Sequence, residues 1–245
     1  MQQERMLTVL IPALNEESGI KQTISAIPKK RIGDEGYDLE IIVIDGNSTD
    51  FTREVAQKMG ARVIIEKRKG YGRAYKTGFC EAKGDVIITL DADGTYPAQL
   101  IPEYVVQLNQ KELDFITINR FSNMEDKAML LSHRIGNRIL SFAMRLLYSI
   151  KVKDSQSGMW IMSRRFIDRI KLESDDFSMS EEIKIIAFTF FKALELEGQY
   201  YKRTGKVKLA SFKDGWHNLK YLFRYRTLIR YSIQSPLVSI EMEKG

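Results

Sequence analysis

"DVIITLDADGTYP", residues 85–97, joins a β-branched apolar run to two aspartates one residue apart and then to a turn. The run over 85–90 has the length and Val/Ile content of a strand buried on both faces, and Gly94 and Pro97 mark where it stops. Each of two neighbouring carboxylates raises the other's cost of ionisation, so Asp91 and Asp93 call for a compensating charge. If the strand continues to residue 93, side chains at i and i+2 share one face. The two carboxylates then converge as hard oxygen ligands for Mg²⁺ or Mn²⁺. Helix capping by Asp93 or Thr95 ahead of Pro97 accounts for one aspartate and leaves the second unexplained.

The same unit recurs outward from this stretch. "MLTVLI" (6–11), "LEIIVI" (39–44), "ARVII" (61–65) and "DFITI" (114–118) are further short apolar runs, with helical patterns beginning near Glu16, Thr49, Gly72 and Pro97. This βαβ succession predicts an α/β fold with a Rossmann-like, mostly parallel central sheet and helices on both faces. Ligands of such open sheets sit beyond the carboxyl ends of the strands. Those ends read "PALNEE", "DGNSTD", "EKRKGYGRAYKTG", "DADGTYP" and "NRFSN", which sets carboxylates opposite one Lys/Arg/Gly loop. Past residue 120 the alternation stops. One or two amphipathic helices are expected over 125–150, a short strand at "GMWIM" (158–162), a helix over 180–191, a strand at "ALELEGQYY" (193–201) and a last helix over about 214–233. No Gly/Ser/Pro-rich linker splits the chain, so one domain over residues 1–212 is expected, with 213–245 as a C-terminal basic amphipathic appendage.

A hydrophobic content of 44% is enough for a sizeable core. The single cysteine, Cys80, excludes an internal disulfide and a Cys-rich metal site and suits a reducing compartment. The N-terminal run, broken by Pro12, reads as a strand and not a signal peptide, and no stretch reaches the ~18 apolar residues of a membrane span. A cytoplasmic protein is expected. The net charge of +6 is concentrated: nine Lys and Arg between Lys202 and Arg230 face only Asp214. Such a block points to an anionic partner. In the last helix Lys213, His217, Lys220 and Arg224 stack beside Trp216, Leu219, Leu222, Phe223, Ile229 and Ile233. That pattern fits an interfacial helix on anionic lipid, or a helix packed on its own domain with a solvated basic side.

"GYGRAYKTG" (70–78) has Tyr75 where a dinucleotide fingerprint needs glycine, and it lacks the Gly-Lys-Ser/Thr of a Walker loop. What remains is a glycine turn opening a helix, where Lys69, Gly70 and Arg73 could hold a diphosphate. Glu181 and Glu182 read as an acidic first helical turn, with a base carboxylate or a carboxylate supporting the site as the alternative. Trp160 and Trp216 read as core or interface residues. His133 and His217 give no zinc or triad pattern.

Taken in order, "VLIPALNEE" (9–17), "IIVIDGNSTDFT" (41–52), "KGYGRAYKTG" (69–78), "DVIITLDADGTYP", "VKDSQSGMWIM" (152–162) and "RTGKVKL" (203–209) resemble glycosyltransferase family 2. Within it they look like the dolichyl-phosphate or polyprenyl-phosphate mannose and glucose synthases. The resemblance implies a GT-A fold and metal-dependent, inverting transfer of a hexose from a nucleotide-sugar (GDP-mannose or a UDP-hexose) to a polyprenyl phosphate. It places Pro12, Asn15, Glu16, Asp45 and Ser48 around the nucleoside, and Asp91 and Asp93 on the metal and donor diphosphate. Arg203 and Lys208 would close over the diphosphate. Arg120 and Arg134, on either side of "FSNMEDKAML" (121–130), would hold the acceptor phosphate, with Asp154 and Gln156 of "DSQSG" facing the same side. Asp93, Arg120 and Arg134 are the expected catalytic residues. Gly46 departs from the pattern, since many members carry a second aspartate there. A lipid acceptor further implies a membrane surface or a membrane partner protein, peripheral residence at the cytoplasmic face, and no nucleic acid. The alternatives are a soluble or glycan acceptor, a sugar-1-phosphate nucleotidyltransferase, which should carry a Gly-rich loop in place of "PALNEE", and a non-enzymatic basic module.

Overall fold

Seven strands form one sheet: β1 (Arg5–Ala13), β2 (Tyr37–Asp45), β3 (Arg62–Ile65), β4 (Val86–Thr89), β5 (Phe115–Met124), β6 (Trp160–Ser163) and β7 (Ala193–Tyr200). Their order is β3-β2-β1-β4-β6-β5-β7, and every strand but β6 runs the same way. The predicted mostly parallel α/β sheet is therefore borne out. The computed structural model describes residues 5–205 and 211–234.

Alternate residues of each strand feed two cores. On one face Leu7, Val9, Ile11, Ile88 and Ile116 pack under α1 (Glu17–Ser25), α2 (Lys29–Asp34), α3 (Thr52–Lys58) and α5 (Ile101–Gln110). On the other, Leu10, Ile42, Ile87, Phe115 and Trp160 pack under α4 (Tyr71–Glu81), α7 (Arg164–Ile167) and α8 (Met179–Phe190). Burial on both faces explains why the strands read as continuous apolar runs. Trp160 is core, as expected, whereas Trp216 is exposed. The short helices α2 and α7 had no expectation attached. The single helix α6 (Leu131–Tyr148) fills the 125–150 region.

Register decides what meets at the carboxyl edge. β1 and β2 pair from Arg5↔Tyr37 to Ala13↔Asp45, and β4 flanks β1 from Leu7↔Val86 to Leu10↔Thr89. The turns after Ala13, Asp45 and Thr89 therefore leave from one edge. Because β6 runs antiparallel between β4 and β5, its beginning lies at that edge, and residues 154–158 arrive beside the other turns. One expectation needs correcting. β4 ends at Thr89, so Asp91 and Asp93 lie in a turn with Gly94 at φ 75°, and strand alternation does not set their orientation. The turn is shaped from below by α1. A Cβ added at Gly19 would come 2.5 Å from the Ala92 carbonyl oxygen and 2.9 Å from the Asp93 Cα. The segment 121–130 is likewise more ordered than a free loop, since β5 runs on to Met124 and pairs there with Tyr200.

The last helix, α9 (Ser211–Gln234), packs on α6 and α8. Leu222, Tyr225 and Ile229 are buried with Met144, Ile150, Val152 and Ile185, and the Tyr148 hydroxyl donates to the Leu222 carbonyl at 2.6 Å. The apolar stripe read along this helix is thus divided: Leu222 and Ile229 face inward, while Trp216 and Phe223 are exposed. Ile233 lies outside the described side chains.

Segment 154–158 is fastened by a lysine buried in α8. The Lys184 ammonium donates to the carbonyls of Ser155 (2.8 Å) and Ser157 (2.7 Å), and it lies 5.9 Å from the Trp160 ring centroid. Burial lowers its pKa to about 7, against the pull of Asp154, Glu195 and Glu181. The unfolded chain then holds this proton up to its ordinary value while the native state sheds it, so Lys184 makes stability rise with pH above about 7. Lys184→Met should flatten the rise measured by urea denaturation between about pH 7 and 9, by at most about 1.4 kcal/mol per pH unit. Gly19→Ala should cost roughly 1–3 kcal/mol in the same assay through overpacking against backbone, despite alanine's better helix propensity.

Candidate active site

The edge of β1 and β2 forms a polar cradle held by local backbone geometry. Asn15 (φ 51°) and Asn47 (φ 66°) adopt the left-handed conformation that asparagine tolerates best among residues with side chains. The Asn15 amide donates to Ser48 Oγ (2.9 Å), the Thr49 amide donates to Asn15 Oδ1 (2.8 Å), and the Glu16 amide donates to Thr52 Oγ1 (2.8 Å). Asp45 is fully buried. Its Oδ2 accepts the Ser48 amide at 3.0 Å, with Arg53 Nε 3.9 Å away, and its Oδ1 has no partner among the described residues. A buried acceptor without a donor is expensive, and a planar N–H ligand at this edge would satisfy it. Pro12 is half-buried opposite Ile44. Gly46 is not required by packing, because a Cβ there would meet only ordinary contacts of 3.5–3.7 Å.

One strand over, Asp93 is tightly held. Its Oδ1 accepts the Thr95 amide (3.1 Å) and hydroxyl (2.7 Å), and its Oδ2 lies 3.0 Å from Arg203 Nη1. Arg203 Nη2 reaches Glu16 Oε1 at 2.5 Å, so one guanidinium ties the β1 turn to the β4 turn. The Arg203 Nε is buried without a partner among the described residues. Asp91 is half-buried, and among the described residues no donor reaches its carboxylate. Burial, and then the charge of Asp93, push its pKa up to about 7. Gly158 lies against it, since a Cβ there would sit 3.2 Å from Asp91 Oδ1 and 2.6 Å from the Tyr71 hydroxyl. A divalent cation would relieve this pair. The described residues contain no group of three or more carboxylate, His or Cys ligands, so a cation here would take its remaining ligands from substrate oxygens and water, the usual arrangement for Mg²⁺. Lys208 lies outside the described residues.

On the β5 side, Arg120 and Asp154 meet each other. Arg120 Nε and Nη2 donate to the two Asp154 oxygens at 2.7 and 2.9 Å, and both residues are buried. Burial opposes both charges, but the pairing outweighs it. Arg120 stays charged, and Asp154 is held below the usual carboxylate range. The guanidinium also lies 5.3 Å from the Tyr200 ring centroid. Arg134, in the first turn of α6, has its Nε buried without a partner among the described residues. Gln156 bridges helices: its amide nitrogen donates to Glu181 Oε1 (2.9 Å), and its carbonyl accepts from Asn218 of α9 (3.2 Å).

The acidic start of α8 is more than a solvated first turn. Glu181 and Glu182 are both fully buried, and burial drives the Glu181 pKa well above its usual range. Glu182 accepts the amides of Glu173 and Ser174, and Glu181 Oε2 has no partner among the described residues. Arg73 and Lys76 are both paired with Asp175, and the Arg73 amide donates to the Asp175 carbonyl. Gly70 (φ 136°) is required there, as a Cβ would lie 2.1 Å from the Asp175 carbonyl oxygen. The glycine turn is therefore docked on segment 173–178, with Lys69 exposed at its tip. Tyr71 and Tyr96 escaped notice in the sequence although both lie in quoted motifs. Tyr71 stacks on Phe177, and the Tyr96 hydroxyl accepts the Gly158 amide at 2.7 Å. Burial raises the pKa of both, so both hydroxyls stay neutral. Lys184 also went unread; its signal was a lone lysine inside "EIKIIAF".

This arrangement has counterparts. The profile of glycosyl transferase family 2 matches residues 8–171. The low-salt glycan biosynthesis hexosyltransferase Agl6 of Haloferax volcanii is 32% identical over 221 residues, 88% of this chain and 52% of that protein. The chain thus spans about half the length of that relative. A dolichyl-phosphate hexose transferase of the same organism is 29% identical over 210 residues, 85% of this chain and 89% of that protein. Among solved structures, the glucosyl-3-phosphoglycerate synthase of Mycobacterium tuberculosis in complex with Mn²⁺, UDP and glucosyl-3-phosphoglycerate superposes with a TM-score of 0.71 at 21% identity. The match covers 91% of this chain and 80% of that one. With the profile spanning the sheet edge from Asp45 to Asp154, the chain belongs to glycosyl transferase family 2.

Proposed function

We propose that this glycosyltransferase moves a hexose, with inversion and metal dependence, from a nucleotide-sugar to a polyprenyl phosphate. The observation that carries the reading is the Asp91/Asp93 pair at the sheet edge, bound through Arg203 to Glu16. The names of the relatives support a hexose and a lipid-phosphate acceptor, and the Mn²⁺ and UDP of the structural neighbour support the donor side. Asp45, with its unpartnered Oδ1 next to Ser48 and Asn15, suits the N–H edge of a nucleobase. Mg²⁺ or Mn²⁺ held by Asp91 and Asp93 would supply charge neutralisation at the diphosphate leaving group.

The chain's own residues do the remaining work. Arg203 carries positive charge to the same turn and keeps Asp93 oriented. Arg120, fixed by Asp154, and Arg134, with its buried Nε open, suit the acceptor phosphate. A phosphate monoester with a second pKa of about 6 is already anionic near neutrality, so a strong base is unnecessary. What limits such a transfer is bringing two anions together, and fixed cations achieve that by positioning and electrostatic stabilisation. Asp154 and Gln156 then serve the acceptor side by orientation, Asp154 through Arg120 and Gln156 through Glu181 and Asn218. Residence at the cytoplasmic face of a membrane is part of the proposal, since a polyprenyl acceptor is embedded there. A soluble phosphorylated acceptor is the second reading, favoured by the phosphoglycerate product bound in the structural neighbour.

The decisive experiment is a matrix of UDP- and GDP-hexoses against a short polyprenyl phosphate, 3-phosphoglycerate and a free glycan, with Mg²⁺ or Mn²⁺. Transfer to the polyprenyl phosphate alone is expected, and transfer to phosphoglycerate alone would select the second reading. Chelation should abolish turnover, and added Mg²⁺ or Mn²⁺ should restore it. Asp93→Ala should lower kcat by roughly two to three orders of magnitude with an unchanged circular dichroism spectrum. Asp45→Asn should mainly raise the donor KM, by roughly ten- to a hundredfold, as expected for a weakened hydrogen bond to a charged group.

A further inference from the structure

Helix α6 is apolar on two opposite sides. Its inner side buries Leu140 and Met144, and Ser141 bonds to Ser155. Leu131, Ile135, Ile139, Phe142 and Leu146 recur at spacings of four, four, three and four, which at 3.6 residues per turn forms one stripe on the outer side. These five side chains are 51–71% exposed. A helix of a water-soluble domain normally turns charged residues outward, and one that is apolar all round belongs in an apolar medium. Among the described residues, no helix is long and apolar enough to cross a membrane. The stripe is therefore suited to lie along an interface.

Its flank is cationic. Arg138 and Arg145, seven residues apart on the same side of α6, line a cleft of about 370 Å³ with Lys153, Asn119, Phe121 and Ser122. No acid lines this cleft. Among the described residues neither arginine has an ion pair; Arg138 lies 5.8 Å from the Phe121 ring centroid and Arg145 6.0 Å from that of Phe142. Lys153 has only a long contact of 3.8 Å to Glu197, both exposed. Arg145 over Phe142 joins the cationic cleft directly to the apolar stripe.

We infer that α6 binds an anionic membrane surface, with a lipid phosphate headgroup in the Arg138/Arg145/Lys153 cleft and acyl chains along Ile135, Ile139, Phe142 and Leu146. The charge complementarity and the adjoining apolar strip select a lipid over a free anion, because a free phosphate has no use for the stripe. The cleft is separate from Arg120 and Arg134, and the inference holds whichever acceptor the enzyme uses. It moves the membrane contact expected of the C-terminal helix onto α6, because α9 spends Leu222, Tyr225 and Ile229 on packing against α6 and α8.

The test is co-sedimentation of the full chain with vesicles of phosphatidylcholine alone or mixed with phosphatidylglycerol. Wild type should bind the mixed vesicles far more tightly. Arg138→Ala with Arg145→Ala should weaken that binding roughly thirtyfold, in line with the usual contribution of two basic residues at an anionic surface. Phe142→Gln with Leu146→Gln should weaken binding to both vesicle types, and all variants should keep the wild-type circular dichroism spectrum. Equal binding of neutral and mixed vesicles, or wild-type binding by either variant, would overturn the inference. So would an equal loss from Lys220→Ala with Arg224→Ala, which would put the contact on α9. Displacement by millimolar glycerol phosphate with no effect of the Phe142/Leu146 pair would show a free-phosphate site and also overturn it.

Discussion

Carboxylates from three neighbouring strand ends crowd one edge of the sheet, and the arrangement depends on the cations that hold them there. Glu16 follows β1, Asp45 ends β2, and Asp91 and Asp93 follow β4. Arg203 joins Glu16 to Asp93, and Arg53 approaches Asp45. A little further along the edge Arg120 and Asp154 neutralise each other in full burial, where a lone charge would be prohibitive. Asp91 is the member that no donor among the described residues reaches, and burial together with the charge of Asp93 raises its pKa. An edge with this surplus of carboxylate suits a ligand that arrives with its own counter-cation, as the proposed nucleotide-sugar donor would.

The direction of β6 adds a further loop to this edge. In a sheet parallel throughout, residues 154–158 would enter from the opposite edge. Reversing that one strand brings the loop to Asp91, and Lys184, Trp160, Tyr96 and Thr89 then fasten its backbone. Gly158 supplies the space that a side chain would take from Tyr71 and Asp91.

The first five strands were legible because burial on both faces leaves continuous β-branched runs, and the carboxyl-edge rule then pointed to the edge where the structure gathers the candidate residues of β1, β2 and β4. What stayed hidden were features set by partners distant in the chain. Arg120 and Asp154 looked like two acceptor contacts, and their mutual pairing follows from the β5–β6 geometry, which local periodicity does not encode. Glu181 looked like a first-turn charge because α8 begins there, but only the tertiary packing shows that the turn is buried. The apolar stripe of α9 was visible; that half of it is spent on α6 was not. Region 125–150 reads as amphipathic, and only the packing of Leu140 and Met144 shows that a second apolar stripe of α6 is left facing outward.

The Arg203–Glu16 contact spans 187 residues of chain. A ribosome delivers β1 and its turn well before Arg203, and pairings of such separation carry a large loop-closure cost. The parallel βαβ half can assemble while the chain is still emerging, since domains generally fold N-terminal part first. Glu16 and Asp93 meet their shared arginine only when residues beyond β7 return across the edge. The tie between the β1 and β4 turns is thus made later than the strands it joins, so a nascent chain would have the parallel half of the sheet before its carboxyl-edge turns are locked together.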